Sequence, residues 1–96
     1  MIKGTGNRIY QLRTEKGLTM DMLVADMNTK YDLNLNKSMI SRWEKDITNP
    51  SLESAKYLCD YFDVSLDFLI GLTDVRTPSR LLTFATKRGK SKEDKQ

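Results

Sequence analysis

Four side chains, Lys37, Ser38, Ser41 and Arg42, carry polar chemistry at a spacing that groups them. In a helix, residues at its start and residues one turn later share a face. Lys37, Ser38 and Arg42 then lie together, with Ser41 at the edge and Ile40 and Trp43 on the opposite side. This set offers positive charge and hydrogen-bond donors but no nucleophile–base pair. Its chemistry is the recognition of acceptor-rich, anionic surfaces. Nothing else in the chain adds a reactive group. There is no histidine and a single cysteine, Cys59, which excludes Ser-His and Cys-His catalysis, a zinc site and an internal disulfide. A non-enzymatic protein without metal, cofactor or evident small-molecule ligand is expected.

The elements that must position these side chains are all helical. A first helix is predicted from Thr5 to Lys16, with Ile9 and Leu12 as its apolar stripe and Gly17 as its stop. Thr19 reads as an N-cap, with Asp21 in the first turn where the helix dipole favours negative charge. The recurrence of Leu23, Met27 and Tyr31 every four residues predicts a second helix from Met20 to Tyr31. Asn36 caps a third helix from Lys37 to Lys45. Asn49-Pro50 breaks the pattern, and Ser51 caps a fourth helix from Leu52 to Phe62, with Leu52, Ala55, Leu58, Cys59 and Phe62 on one side. Ser65 caps a short fifth helix from Leu66 to Ile70, which Gly71 ends. No period-two strand pattern occurs and no internal repeat is visible. Residues 1–74 read as one domain and residues 75–96 as a linker and basic tail. In the tail, Arg80 to Arg88 could form a further helix, and Lys87 to Gln96 reads as disordered.

Length and charge bound the partners. Ninety-six residues suit a single domain with a modest core. No apolar run approaches a membrane span, and the first residues carry no apolar signal core, so a cytoplasmic protein without a membrane partner is expected. The net charge is +3, but its placement is uneven. Residues 1–50 hold eight basic and six acidic side chains, residues 51–75 one and five, and residues 76–96 seven and two. The basicity is thus largely a property of the tail, and placement rather than total charge must carry any argument about nucleic acid.

The order of motifs resembles the Xre/Cro-type helix-turn-helix family of phage repressors. The resemblance rests on Ile9-Tyr10-Gln11-Leu12-Arg13, Gly17-Leu18-Thr19, Ile40-Ser41-Arg42-Trp43-Glu44, Asn49-Pro50-Ser51-Leu52-Glu53 and Phe62-Asp63-Val64-Ser65-Leu66-Asp67-Phe68-Leu69-Ile70-Gly71. It covers Asn7 to Gly71 and implies an all-α, five-helix, lambda-repressor-like domain. It also implies that the third helix lies in the DNA major groove with the second across the backbone. Lys37, Ser38 and Arg42 would then meet base edges, with Ser41 reaching base or phosphate. Lysine and arginine suit guanine O6 and N7. Thr19, with the free amides beside it, and Lys45, Thr48 and Asn49 would meet phosphates. Arg13 and Glu44 occupy the positions of a buried ion pair that ties the first helix to the third. The implied function is sequence-specific binding of double-stranded DNA as a dimeric transcriptional regulator, of the phage or prophage repressor kind. The competing reading is a protein-interaction module, such as an antitoxin or adaptor, that keeps the fold.

Two departures from the family pattern matter. Met20 stands where a DNA-reading glutamine is usual. The stretch from Thr29 to Asn36 is several residues longer than the usual turn. Either the second helix runs through Tyr31 and turns at Asp32-Leu33-Asn34-Leu35, or it stops at Asn28 and a long loop follows. The Leu23, Met27, Tyr31 stripe favours the first, as does a resemblance to repressors of Gram-positive temperate phages. Either way Lys30 is carried outward toward the DNA backbone. Trp43 and Cys59 fit the core rather than base stacking or redox sensing. The short fifth helix cannot bury Leu66, Phe68, Leu69 and Ile70 all against one core, which predicts an apolar homodimer surface at Phe68, Ile70 and Leu72. Leu81, Leu82 and Phe84 of the tail are an alternative dimer contact.

Overall fold

A computed structural model describes residues 4–77. Among them the chain forms five helices and no strand: α1 (Thr5–Glu15), α2 (Met20–Tyr31), α3 (Lys37–Glu44), α4 (Leu52–Phe62) and α5 (Leu66–Leu69). Lys16, Lys45 and Ile70, expected as last helical residues, are the C-caps of α1, α3 and α5. The possible helix over Arg80 to Arg88 and the charged run Lys87 to Gln96 lie outside the described residues.

Local chemistry explains most of the boundaries. The side chains of Thr19, Asn36, Ser51 and Ser65 each accept the backbone N–H three residues on, from Met22, Met39, Ser54 and Phe68. Each such cap satisfies an otherwise orphaned helix-start amide. Three helices close in the same way. Gly17 (φ 71°), Asp32 (φ 57°) and Asp63 (φ 57°) take the left-handed conformation, and the following N–H returns to the carbonyl of Arg13, Asn28 and Cys59. Helix α1 is the exception at its start, because Gly4 offers no side-chain cap. The Asp46 carboxylate, from the turn after α3, accepts the Gly6 N–H at 3.1 Å instead.

The longer form of the second helix is the one observed. The enlarged turn is not slack, because Asn28 sits inside α2 and clamps it. Its amide donates to the Leu35 carbonyl at 3.0 Å and its oxygen accepts the Leu35 N–H at 2.8 Å. Leu35 is thereby driven into the core. The added turn of α2 docks on α4. There the Tyr31 and Tyr57 rings stack with centroids 4.6 Å apart, the Tyr31 hydroxyl donates to Asp60, and the Tyr61 hydroxyl donates to Asp26 at 2.7 Å.

The core is one cluster shared by all five helices. Ile9 and Leu12 of α1, Leu23 and Met27 of α2, Ile40 and Trp43 of α3, Ala55 and Leu58 of α4, and Phe68 and Leu69 of α5 are buried, together with Leu35 and Val64 from the connections. Burying each large aliphatic contributes about 1.5–3 kcal/mol. Helices α1 and α3 approach closely at Gly6. A Cβ there would lie 2.1 Å from the Trp43 carbonyl oxygen and 2.7 Å from that of Glu44, so only glycine allows the crossing.

Two expectations are corrected. Leu52, placed on the inner side of the fourth helix, is 78% exposed, because the helix turns its Ala55–Leu58 side inward and leaves its first residue outside. Phe68, expected on an exposed patch, is 1% exposed. Its ring lies between the guanidinium groups of Arg8, 4.1 Å from the centroid, and Arg76, at 5.1 Å. Arg8 donates to the Thr73 carbonyl and pairs with Asp74 at 2.9 Å, and Arg76 pairs with Glu15 through two 2.8 Å hydrogen bonds. The Ser65 N–H donates to the Arg76 carbonyl at 2.9 Å. The segment after Asp74, where the linker was expected to begin, is therefore still attached to α1 and α5 as far as Arg76.

Candidate nucleic-acid interface

Helix α3 is held by its buried side and its ends, which leaves its remaining face to solvent. Ile40 and Trp43 insert into the core, and Lys37, Ser38 and Arg42 are exposed. Ser41 is half-buried at the margin, and Met39 is half-buried against the core. Trp43, buried beside the Gly6 crossing, is not offered for stacking. Arg42 donates through Nη1 to the Ser38 hydroxyl one turn earlier. The helix ends in a tight turn in which the Arg42 carbonyl accepts the Ile47 N–H at 2.9 Å, and Asp46 takes a positive φ of 59°. Lys45, Thr48 and Asn49 follow on that exposed turn.

The seat of α3 depends on one ion pair. Arg13 Nε donates to Glu44 Oε2 at 2.6 Å and Nη2 donates to Oε1 at 2.9 Å, a bidentate fork between α1 and α3. The third arm, Nη1, donates to the Leu18 carbonyl at 2.8 Å, just before the α2 cap. Side-chain exposures of 11% and 5% make this the most buried ion pair among the described residues. The hydrogen bond to Glu44 raises the Arg13 pKa further, against the opposing effect of burial, so the guanidinium stays charged. One arginine thus ties together α1, α3 and the approach to α2.

Among the described residues, basic groups that meet neither a carboxylate nor an aromatic ring cluster at α3. Arg8, Arg13 and Arg76 are consumed by Asp74, Glu44 and Glu15. Lys16 and Lys56 lie over the Tyr61 and Tyr57 rings. Lys37, Arg42 and Lys45 enter no ion pair among the described residues, and all three are on α3 or at its end. Lys30 is exposed near the end of α2, with its ammonium 5.6 Å from the Tyr31 ring. At the start of α2, Thr19 is exposed, but its hydroxyl oxygen is engaged as the cap. Met20 is half-buried against the core, so the position where the family places a polar reader contributes packing.

Other chemistry is absent from this surface. Among the described residues no group of three His, Cys, Asp or Glu side chains could hold a metal ion, and no helix is long and apolar enough to cross a membrane. Cys59 is half-buried, and desolvation pushes its thiol up to about 11, far from a reactive thiolate. Sequence reasoning missed Gly6, Asp46 and Asn28, which set the pose of α3. Of these only Asn28 left a signal, as one of the two possible ends of the second helix.

Comparison with known proteins agrees with this geometry. A family model described as helix-turn-helix matches residues 9–69. The chain is 33% identical over 63 residues to an HTH-type transcriptional activator, BcrR, of Enterococcus faecalis, covering 66% of this chain and 28% of that protein. It is 32% identical over 71 residues to an uncharacterized HTH-type transcriptional regulator, YobD, of Bacillus subtilis strain 168, covering 74% of this chain and 58% of that protein. The chain thus spans less than two thirds of the length of either relative. The match across α1 to α5, together with a five-helix fold whose third helix presents a polar face, places this chain in the Xre-like helix-turn-helix family.

Proposed function

We propose that this protein binds double-stranded DNA sequence-specifically through α3 and regulates transcription, acting as a dimer on an operator in the manner of a phage-type repressor. The observation that carries the reading is the segregation of charge. The other described arginines are paired with carboxylates, whereas Lys37, Arg42 and Lys45 enter no ion pair among the described residues and lie on α3 or just after it. Lys37, Ser38, Ser41 and Arg42 read base edges from the major groove. Thr19 and the α2 start on one side, Lys45, Thr48 and Asn49 on the other, and Lys30 on the lengthened α2, contact phosphates. The dimer surface includes Ile70 and Leu72, the latter 59% exposed, joined by Leu66 and Val75. Phe68 is beneath it, not in it. Two-fold pairing would present two α3 helices one DNA turn apart, about 34 Å.

Selection from a random double-stranded pool at two salt concentrations tests the reading. A specific site is expected, with affinity falling steeply as salt rises. Arg42→Ala and Lys37→Ala should relax base preference, while Lys45→Ala should weaken all sites alike and flatten the salt slope by about 1. Equal binding of all sequences, with Arg42→Ala silent, would exclude readout by α3. The E. faecalis relative is named an activator, so a reporter behind the selected site is required for the sign. Expression should fall when the protein is supplied, and a rise would refute repression. Sedimentation of Leu72→Glu should show a lighter species than the wild type, and an unchanged mass would remove Leu72 from the interface.

A further inference from the structure

Arg42 is exposed, uncompensated and yet held in place. Its Nη1 donates to the Ser38 hydroxyl, at the i, i+4 spacing that brings two side chains together on a helix. Arg42 enters no ion pair among the described residues: Glu44 is locked by Arg13, and Asp46 accepts the Gly6 N–H. The Arg42 backbone is fixed as well, because its carbonyl closes the turn to Ile47. With Nη1 engaged, the Nε and Nη2 edge remains as two parallel donors, the geometry that matches a pair of in-plane acceptors.

We infer that Ser38 is a positioning residue that holds the Arg42 guanidinium for bidentate donation to guanine O6 and N7, so that the G·C preference of the site belongs to Arg42 and depends on Ser38. The inference rests on the DNA-reading proposal above and narrows it. It replaces the independent base contact given to Ser38 above: Ser38 acts through Arg42. A bidentate arginine–guanine contact discriminates by a factor of roughly 5 to 150. Ordering a free arginine at an interface weakens binding by roughly 2- to 12-fold. The Ser38 hydroxyl orders the guanidinium before DNA arrives, and its removal restores that loss.

The test uses the full chain and oligonucleotides selected by it from a random double-stranded pool, with each guanine of the selected site replaced in turn by 7-deazaguanine, which lacks N7. Wild type should lose affinity at one guanine per half-site, and Arg42→Ala should be indifferent to that replacement. Ser38→Ala should bind the unmodified site about 2- to 12-fold more weakly and lose most of its sensitivity to deazaguanine there. Ser38→Thr, which keeps the hydroxyl, should restore both. In the Arg42→Ala background, Ser38→Ala should add nothing. Additive losses from the two alanine changes, or full deazaguanine sensitivity in Ser38→Ala, would overturn the inference and leave readout by α3 intact. Failure of the wild type to select any sequence would overturn both. Both positions are exposed, so equal thermal melts should accompany every variant.

Discussion

Removing either partner of the Arg13–Glu44 pair should cost more stability than any other single charge removal in the domain. The pair is bidentate and almost dry, with side-chain exposures of 11% and 5%. Deleting one partner leaves a charge with no route to water, a loss of about 3–5 kcal/mol. A domain of this size is stabilised by only about 4–11 kcal/mol in total, at roughly 0.05–0.15 kcal/mol per residue. Urea unfolding followed by the fluorescence of Trp43, the only tryptophan and adjacent to Glu44, is a direct assay. With a slope of about 1–2 kcal/mol per molar urea, the midpoint for Arg13→Met or Glu44→Leu should fall by about 1.5–5 M. The double variant should recover most of that loss, since an apolar pair of similar volume has no charge to strand. It will not recover all of it, because the Leu18 carbonyl still loses its donor from Arg13. Two results would refute the reasoning. One is a single-variant loss below about 1 kcal/mol, the magnitude of a solvated pair. The other is a double variant whose loss equals the sum of the singles, which would mean that the two side chains do not interact.

Three further outcomes follow from neighbouring features. Gly6→Ala places a methyl against two backbone carbonyls that cannot yield without moving α1 from α3; about 1–3 kcal/mol should be lost, seen as a drop of about 4–8 °C in Tm per kcal/mol, and an unchanged Tm would disprove the close crossing. Asn28→Ala strips both partners from the Leu35 backbone; about 1–3 kcal/mol should be lost, with faster hydrogen exchange at the Leu35 amide, and unaltered exchange would show that the clamp is not what orders the turn. Arg76, and secondarily Gln11, hold the Glu15 carboxyl at about 2 instead of its usual 4.5. The folded-state pKa is depressed, so the strap is fully in place above about pH 4.5 and is released as pH falls through about 2. A carboxyl carbon-13 titration of Glu15 should show the low midpoint, moving upward with added salt because the pair is exposed; a midpoint near 4.5 would mean no strap forms in solution.

What could be read in advance was local. Thr19, Asn36, Ser51 and Ser65 announce helix starts because the cap bond reaches only three residues along the chain. The tyrosine at 31 extended an apolar stripe and so selected the long form of α2. What escaped reading was whatever joins distant segments. Gly6 looks like an ordinary flexible residue until Trp43 and Glu44 lie across it, and Asp46 caps a helix forty residues earlier. Counting apolar residues on a short helix from Leu66 to Ile70 points Phe68 to the surface. The count fails because the ring packs into the common core and two arginines from opposite ends of the domain lie against it, a contact with no periodic signature. The polar face of α3 was legible as a face, while the bond joining Ser38 to Arg42 needed side-chain placement.

The strap over Phe68 also bears on how the domain is made. Its contacts join Arg8 to Thr73 and Asp74, and Glu15 to Arg76, across 65, 66 and 61 positions of chain. Closing such long loops costs entropy that only completed packing returns, so these contacts belong to the last stage of assembly. During synthesis from the N-terminus, α1 and α3 can meet early, but the groove around Phe68 stays open until residue 76 has left the ribosome. Until then α3 can already be seated against α1 while the arginine contacts over the Phe68 ring are still missing. Because the strap forms late, loosening it should shorten the lifetime of the folded state while leaving the rate of folding almost untouched.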